Sequence, residues 1–338
     1  MTDYAIIGLQ FGSEGKGALA GYLANRRQPD VCVSNWSPNA GHTFRETSGH
    51  KLVVRCIPVG AYSGYCQYAM LGPGSVIDPV IFLEEMSWLP GNVVVVIHPM
   101  AAIVYDRHRE RELQFERIGS TMKGSAAASI DRMMRDPLLS STAGEYFSKN
   151  SAGGAIVDAS YYHSVMSMAR LIQVEGCQGH SLSLYNGLYP YVTSRDTSIH
   201  QLKADVAWHD DRRLLTYGCI RTFPIRVANR AAGTSGHGYP DQMETSFRNI
   251  GVEPEFTTVT KLPRRVFTFS LLQLIDACTI NNPHELYLSF CDYFDDDDKE
   301  LFDLLTVIRE VTSIQVKWQS YGPYMLDMID HGAIRNEL

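Results

Sequence analysis

The sequence predicts an α/β fold in which helices surround a mostly parallel central sheet. Short apolar runs rich in β-branched residues alternate with longer helix-like stretches, and a glycine-rich turn follows the first apolar run. No internal repeat and no Pro/Ser-rich linker interrupts the pattern. The chain has 338 residues, a length at which α/β proteins often form one domain. We therefore expect a single domain over residues 1–338.

The elements are predicted in chain order from these runs. Residues 4–7 (Tyr-Ala-Ile-Ile) form a buried strand, and residues 16–27 form the helix that follows it. Further strands are predicted at residues 31–33, 52–54, 93–97 and 156–157. The last third of the chain continues with a helix over 269–277, a strand over 285–290, a helix over 301–311 and a strand over 313–316. The acidic run 295–298 is expected to be a solvated loop before the last helix, because adjacent carboxylates repel one another.

Composition excludes several classes of protein. The formal net charge is −7, so nonspecific binding of nucleic acid through bulk positive charge is not expected. No apolar run reaches the roughly 20 residues of a membrane helix, and the N-terminus lacks the basic region of a signal peptide. Seven cysteines without a Cys-x-x-Cys pair predict neither a disulfide framework nor a zinc site. A cytoplasmic protein is expected, with no membrane and no nucleic-acid partner.

The strongest local signal is the loop over residues 8–17, Gly-Leu-Gln-Phe-Gly-Ser-Glu-Gly-Lys-Gly. Strand, glycine-rich turn, lysine and helix together form a P-loop-like phosphate site, because backbone N–H groups, the helix N-terminus and the Lys16 charge all attract an anion. The loop is not a Walker A motif, since Gln10 replaces a glycine and Gly17 replaces Ser/Thr after the lysine. A tight strand–helix turn with an incidental lysine is the alternative interpretation.

Other motifs follow in order, each weak alone. Residues 39–43 read Asn-Ala-Gly-His-Thr, residues 118–121 Ile-Gly-Ser-Thr, residues 174–179 Val-Glu-Gly-Cys-Gln-Gly, and residues 189–194 Tyr-Pro-Tyr-Val-Thr-Ser. Together with the first loop, Ile57–Gly60, Thr260–Val266 and Tyr321–Pro323, this ordered set resembles the adenylosuccinate synthetase family over essentially the whole chain. The resemblance implies that family's fold and a two-step ligation. A nucleoside triphosphate phosphorylates the purine O6, and the amine of L-aspartate then displaces that phosphate.

The resemblance also implies site residues. Catalysis is assigned to His42, Lys16 and Ser13. Binding of the triphosphate is assigned to Gly12, Ser13, Glu14, Gly15, Lys16, Gly17, Gly41, His42, Thr43, Asp292 and Gly322. Binding of the acceptor nucleotide is assigned to Ser13, Asn39, Ser120, Thr121, Arg135, Gln178 and Thr193, with Arg135 reaching across a homodimer interface. Binding of L-aspartate is assigned to Thr258, Val259, Thr260 and Arg264. Mg²⁺ is the expected cofactor, with Ser13 and the Gly41 carbonyl as its protein ligands.

The chain departs from the family at residue 13, where the family carries an aspartate that removes the purine N1 proton and coordinates magnesium. A hydroxyl is a poor general base near neutral pH and a poorer ligand for a hard cation. A dead paralogue, a weakened ordinary synthetase and an enzyme for another purine all remain open here. A shorter side chain leaves room for a substituent at C2, as in guanine. Ser13 is also typical of the phage-encoded branch of the family, which this chain resembles and which joins dGMP to aspartate.

Two further departures agree with that branch. The family's arginine-rich aspartate loop is reduced, with Leu262 in place of an arginine close to the ribose, a loss that a deoxyribose tolerates. The guanine-reading Thr-Lys-x-Asp motif of the donor site reads Ser-Phe-Cys-Asp over residues 289–292, so ATP or dATP becomes a plausible donor beside GTP. The alternatives are an ordinary adenylosuccinate synthetase that uses IMP and GTP, and a noncatalytic nucleotide-binding protein. The group that replaces the aspartate base does not follow from the sequence.

Overall fold

The computed structural model describes residues 1–136, 138–139, 141–257, 262–294 and 299–334. Within these residues the chain forms seventeen strands and ten α-helices. The strands are β1 Asp3–Gly8, β2 Val31–Ser34, β3 His42–Arg45, β4 Lys51–Val54, β5 Tyr68–Leu71, β6 Val76–Ile77, β7 Val94–Ile97, β8 Ala102–Ile103, β9 Ile156–Val157, β10 Ile172–Glu175, β11 Leu214–Arg221, β12 Ile225–Arg226, β13 Glu244–Thr245, β14 Arg265–Phe267, β15 Glu285–Ser289, β16 Val316–Ser320 and β17 Met328–Asp330. The helices are α1 Lys16–Arg27, α2 Pro79–Met86, α3 Asp106–Glu112, α4 Ser125–Met134, α5 Ala143–Phe147, α6 Ala159–Met168, α7 Ile199–Asp205, α8 Leu271–Asn281, α9 Lys299–Thr312 and α10 His331–Ile334.

A 10-stranded sheet organises the molecule, in the order β17-β16-β15-β11-β1-β10-β2-β5-β7-β9. Every neighbouring pair in it is parallel except β16 and β17, which run antiparallel at one edge. The predicted α/β class with a mostly parallel sheet is therefore confirmed. The carboxyl ends of parallel strands meet at one edge of a sheet, where α/β proteins bind ligands.

Both faces of the sheet are covered, as the alternation along β1 shows. Ala5 and Ile7 belong to a core that includes residues of α6, α8 and α9, whereas Tyr4 and Ile6 pack with residues of α1 on the opposite face. All six residues of β1 are buried. This explains why the first strand reads as an uninterrupted apolar run rather than as an alternating one.

The element predictions succeed early in the chain and fail in part near its end. Helix α1 has the predicted bounds. The strand at residues 52–54 exists, but it pairs with β3 in a separate hairpin. The strand predicted over 313–316 is wrong: Ser313 follows α9 with a φ of 57°, and the strand occupies Val316–Ser320. Strand β11, a direct neighbour of β1, has no counterpart in the prediction. The acidic run 295–298 lies outside the described residues.

Within the described residues, no helix is both long enough and apolar enough to span a membrane. The cysteines at positions 32, 56, 66, 177, 219, 278 and 291 are free thiols.

Candidate active site

The loop between β1 and α1 has the backbone of an anion site. Gly12 and Gly15 have φ values of 87° and 75°, and between them Ser13 also lies in the left-handed region, at 60°. Helix α1 starts at Lys16, so the N–H groups of its first turn, which have no partner within the helix, lie next to this loop. The Ser13 side chain is exposed, whereas those of Glu14 and Lys16 are buried. Ser13 is therefore the side chain that the loop presents outward.

Glu14 fixes the shape of this loop from inside. Its Oε1 accepts hydrogen bonds from the N–H groups of Gly12 at 2.7 Å and Gln10 at 3.1 Å. Its Oε2 pairs with Lys16 Nζ at 2.8 Å, and both side chains are buried. A carboxylate engaged in this way is not free to coordinate a metal. Glu14 thus shapes the loop and holds the lysine, and its assignment to triphosphate binding, which the resemblance implies, stays a prediction.

The predicted catalytic His42 lies against the start of α1. A Cβ on Gly17 would come within 2.6 Å of the Thr43 carbonyl oxygen and 3.1 Å of the His42 Cβ, so only glycine permits this approach. Burial, reinforced by the Lys16 charge, holds the pKa of His42 well below its usual range. The imidazole is consequently neutral near pH 7. Gly41 and Thr43, on either side of it, are exposed.

Gln178 reaches the same loop from the far end of β10. The next residue packs so closely that a Cβ on Gly179 would lie 2.3 Å from Glu14 Oε1 and 2.6 Å from the Gly12 nitrogen. Gln178 itself has a φ of 58°, and its Oε1 is buried without a hydrogen-bond partner in the described residues. This acceptor is available to an N–H group of a bound base.

Four more buried polar atoms near the carboxyl end of β2 have no hydrogen-bond partner in the described part of the chain. They are Ser34 Oγ, Asn35 Oδ1, Trp36 Nε1 and His42 Nδ1. Ser34 pairs in register with Glu175 of β10, which places this group beside the Gln178 loop. Buried polar atoms are normally satisfied, so these unpartnered atoms together with Gln178 Oε1 form the candidate acceptor pocket.

The remaining acceptor candidates make local contacts. Asn39 accepts a hydrogen bond from Ser37 Oγ at 2.6 Å, and the Thr193 N–H donates to the Leu182 carbonyl at 2.7 Å. The turn of Ser120 and Thr121 packs through Gly119 against Ser235. Arg135 is different: it ends α4 with a φ of 54° and is exposed. Nothing places its side chain at the site of its own chain.

Sequence reasoning missed Arg221, a fully buried arginine at the end of β11. Its guanidinium donates to the Ser13 carbonyl at 3.2 Å, forms an ion pair with Glu255 and lies 3.8 Å from the centre of the Phe290 ring. Gln10 braces the same point, because its side chain exchanges hydrogen bonds of 3.2 and 2.9 Å with the Arg221 backbone. Arg221 therefore joins the phosphate loop to the segments that begin at Glu255 and Phe290.

The donor-base candidates lie at the end of β15 and beyond it. Ser289 Oγ turns inward and donates to the carbonyls of Glu14 at 3.2 Å and Ile220 at 3.1 Å. Partial burial raises the pKa of the Asp292 carboxyl, and the negative charge of Asp327 raises it further. Gly322 lies beside Asp327, whose carboxylate a Cβ on Gly322 would meet at 2.3 Å. Asp327 thus lies against Gly322 and acts electrostatically on Asp292, and the assignment of both residues to the triphosphate stays a prediction.

Of the aspartate-binding candidates, Thr258, Val259 and Thr260 lie outside the described residues. Arg264 is half-buried, and its N–H donates to the Glu255 carbonyl at 2.8 Å. Arg265 is tied to Glu244 by an ion pair and to Ser235 by a hydrogen bond of 3.0 Å. Arg264 is therefore the more available of the two arginines.

Comparison with known proteins agrees with this geometry. A family model described as adenylosuccinate synthetase matches residues 5–142 and 141–300. The N6-succino-2-amino-2'-deoxyadenylate synthase of Cyanophage S-2L is 41% identical, covering 98% of this chain and 93% of that protein. The enzyme of the same name from Salmonella phage PMBT28 is 38% identical, covering 96% of both.

A solved structure gives the same result. It is the Cyanophage S-2L succinoaminodeoxyadenylate synthetase, described as bound to dGMP and to dATP as an energy donor. It superimposes with a TM-score of 0.92 at 39% identity, covering 98% of this chain and 96% of that one. The chain belongs to the adenylosuccinate synthetase family of carbon–nitrogen ligases.

Proposed function

We propose that this protein joins L-aspartate to C6 of dGMP at the expense of ATP or dATP, giving 2-amino-2'-deoxy-N6-succinyladenylate. The observation that carries the proposal is Ser13, an exposed serine on the phosphate loop where the family has an aspartate. The close phage relatives, whose names describe this reaction, support it. The adenylosuccinate synthetases that were found, at about 30% identity, are more distant.

The chemistry has two balanced steps. The O6 of dGMP attacks the γ-phosphorus as the N1 proton leaves, and the nucleoside diphosphate departs. The amine of aspartate then attacks C6, loses a proton and expels inorganic phosphate. A 6-oxo group is a poor leaving group and its phosphate ester a good one, so the first step makes the second possible. Catalysis of the transfer rests on positioning and electrostatics.

Lys16 and His42 act on the transferring phosphate in this proposal. The Lys16 ammonium and the N-terminus of α1 compensate its negative charge. His42, neutral because it is buried beside Lys16, donates one hydrogen bond to a phosphate oxygen as charge develops. The Glu14 carboxylate keeps Lys16 directed into the loop, since their 2.8 Å contact is fully buried.

The oxygen atoms that the protein offers here are suitable ligands for Mg²⁺, although they are few. The Ser13 hydroxyl, in the phosphate loop, and the Gly41 carbonyl, next to His42, belong to exposed residues. No cluster of three or more His, Cys, Asp or Glu side chains suited to a metal exists among the described residues. Mg²⁺ often takes one or two protein oxygens and completes its shell with phosphate oxygens and water. Bound there, the ion would neutralise the donor phosphates.

The choice of purine follows from the side chains at the base. Serine is shorter than aspartate and leaves space beside C2, and its Oγ can accept a hydrogen bond from the 2-amino group. The unpartnered Oε1 of Gln178 supplies a second acceptor for guanine N–H groups. Hypoxanthine lacks the 2-amino group and leaves one of these acceptors unsatisfied, which costs about 1–3 kcal/mol.

The choice of donor follows from the segment after β15. Phe290 replaces a lysine of the family's guanine-reading motif. Its ring packs against the guanidinium of the buried Arg221. Ser289 is occupied with backbone carbonyls. A guanine would find little to read here, so an adenine nucleotide is the proposed donor.

A homodimer is part of the proposal. Arg135 is exposed at the end of α4, and large apolar side chains around it are also exposed: Ile130 by 41%, Met133 by 64%, Met134 by 69% and Leu138 by 89%. An apolar patch of this kind is typical of a protein interface. Arg135 would then reach the acceptor phosphate of the partner subunit. Sedimentation that finds only monomer with all substrates present would contradict the dimer.

A matrix of substrates tests the function. The protein is incubated with L-aspartate, Mg²⁺ and each pairing of IMP, GMP or dGMP with ATP, dATP or GTP. The products are identified by mass spectrometry. We expect the dGMP adduct with ATP or dATP, and none with a Lys16→Ala control. A product from IMP and GTP alone would establish an ordinary adenylosuccinate synthetase, and no product from any pairing would leave a noncatalytic nucleotide-binding protein.

A further inference from the structure

The imidazole of His42 is held by an aromatic ring. The Trp36 and His42 rings meet edge-on, with centroids 4.0 Å apart and planes inclined by 63°. Trp36 is 2% exposed and His42 is 6% exposed. The two rings therefore share one desolvated contact.

A histidine that acts on substrate is usually oriented by a hydrogen bond from its second ring nitrogen to a carboxylate or carbonyl. His42 departs from this arrangement: its Nδ1 is buried and has no hydrogen-bond partner in the described residues. His108 and His180, by contrast, contact Asp131 at 2.8 Å and Asp276 at 3.2 Å. Packing must consequently supply the orientation that a hydrogen bond supplies elsewhere.

Trp36 is suited to this task because its own position is fixed on both sides. Its carbonyl accepts the Val76 N–H at 2.9 Å. The preceding Asn35 donates from its side chain to Asp205 at 2.9 Å, and its carbonyl accepts from Arg195 at 2.6 Å. The backbone at Trp36 is thus anchored, and its ring belongs to a buried core cluster that also contains Leu19, Leu23 and Phe44.

We infer that Trp36 is a positioning residue that fixes the imidazole of His42 toward the transferring phosphate. The inference rests on the proposed role of His42. A hydrogen bond to a phosphate oxygen stabilises a transition state only if its donor is already aimed there. Without the indole, the imidazole can rotate in the space that opens, so phosphoryl transfer slows.

A double-mutant cycle tests this directly. Trp36→Leu, His42→Asn and the double variant are compared in single-turnover formation of the 6-phosphoryl intermediate, with the substrate pair that gives product in the matrix above. We expect Trp36→Leu to lower the single-turnover rate constant, measured at saturating acceptor, about tenfold or more. In the His42→Asn background the same substitution should change that rate constant by less than about twofold.

Two further variants make the result interpretable. Trp36→Phe keeps an aromatic edge and should recover most of the rate, and Trp36→Met takes the place of Trp36→Leu in the cycle if the leucine variant does not fold. Trp208→Leu removes an equally large, nearly buried ring elsewhere. It should lower the melting temperature while leaving kcat within about twofold.

The outcomes separate the two claims. If His42→Asn turns over at the wild-type rate, the proposed role of His42 fails. If His42→Asn is slow but Trp36→Leu costs the same factor in both backgrounds, His42 keeps its role and Trp36 loses the one inferred here. A raised acceptor KM with unchanged kcat in Trp36→Leu would likewise overturn the inference.

Discussion

The phosphate loop and the acceptor pocket are neighbours at the end of the sheet, yet they treat buried polar groups in opposite ways. In the loop, Glu14 satisfies two backbone N–H groups and the Lys16 ammonium. In the pocket, the acceptor of Gln178 and several polar atoms near the end of β2 have no partner among the described residues. The donor side is thus organised before any substrate arrives, whereas in the proposed function the acceptor nucleotide supplies the missing partners on the other side.

The largest effect is expected from a substitution in the phosphate loop, where the buried polar groups already have partners. Lys16→Ala should lower kcat by about 100-fold or more, since a preorganised charge at the transferred phosphate contributes about 3 kcal/mol. It should also lower the free energy of unfolding by about 3 kcal/mol, because Glu14 is left buried without its cation. Steady-state kinetics and urea titration measure the two effects.

The Lys16→Ala/Glu14→Gln double variant is the matched control. It should recover part of the stability, because no unpaired charge remains, but none of the activity. Recovery of both, or a Lys16→Ala enzyme with a normal kcat, would contradict the assignment of Lys16 to phosphoryl transfer.

The pocket should respond in the opposite sense. Gln178→Met removes a buried acceptor without a partner, so the free energy of unfolding should stay the same or rise by about 1 kcal/mol. The acceptor KM should rise about tenfold, while the donor KM is unchanged. Thermal unfolding with separate titration of each substrate provides both readouts, and a destabilised variant with equal effects on the two KM values would refute the contrast.

The Ser13→Asp variant sharpens the comparison where the two regions meet. A carboxylate beside C2 should damage use of dGMP more than use of dIMP, shifting the ratio of their kcat/KM values by several-fold. Aspartate also restores a base and a magnesium ligand, so both rates can rise together. The ratio between substrates, wild type against variant, is therefore the quantity to measure, and a ratio that is constant or moves toward dGMP removes Ser13 as the specificity element.

The smallest effect on turnover is expected from substitution of Glu175. This buried carboxyl accepts hydrogen bonds from neutral groups and forms no ion pair among the described residues. Burial raises its pKa to about 7, although hydrogen bonds from Gly60, Gln173 and Val59 oppose that rise. The folded state thus holds the proton more tightly than the unfolded chain, whose value is about 4.5. Its contribution to stability is present below pH 4.5 and is lost as the pH rises through 7.

Glu175→Gln cannot ionise and should remove this pH dependence. The difference in unfolding free energy, wild type minus variant, should fall by up to about 3 kcal/mol between pH 4.5 and 7.5. A difference that rises with pH would show that the carboxylate is stabilised by something other than these neutral donors.

The two regions also differed in how far the sequence predicted them. The bounds of α1 and the adjacent loop follow from local signals, namely glycines, a lysine and an apolar strand, which act over a few residues. The Arg221–Glu255 pair joins residues 34 apart, and only the sheet geometry brings them together. Unpartnered atoms such as Trp36 Nε1 leave no sequence signal, since burial and lost hydrogen bonds appear only after packing. The late strand was misplaced because Lys317 and Gln319 interrupt the apolar pattern of β16.

The central claim is that this active site is built for a 2-amino purine deoxynucleotide, and a competition experiment tests it most directly. Equal concentrations of dGMP and IMP are offered together with L-aspartate, Mg²⁺ and a mixture of dATP and GTP, and the two succinyl products are resolved by mass at early times. The ratio of their initial rates equals the ratio of kcat/KM values. The account predicts that the dGMP product dominates by at least about tenfold, the worth of one satisfied hydrogen bond to the base. A dominant IMP product would contradict it.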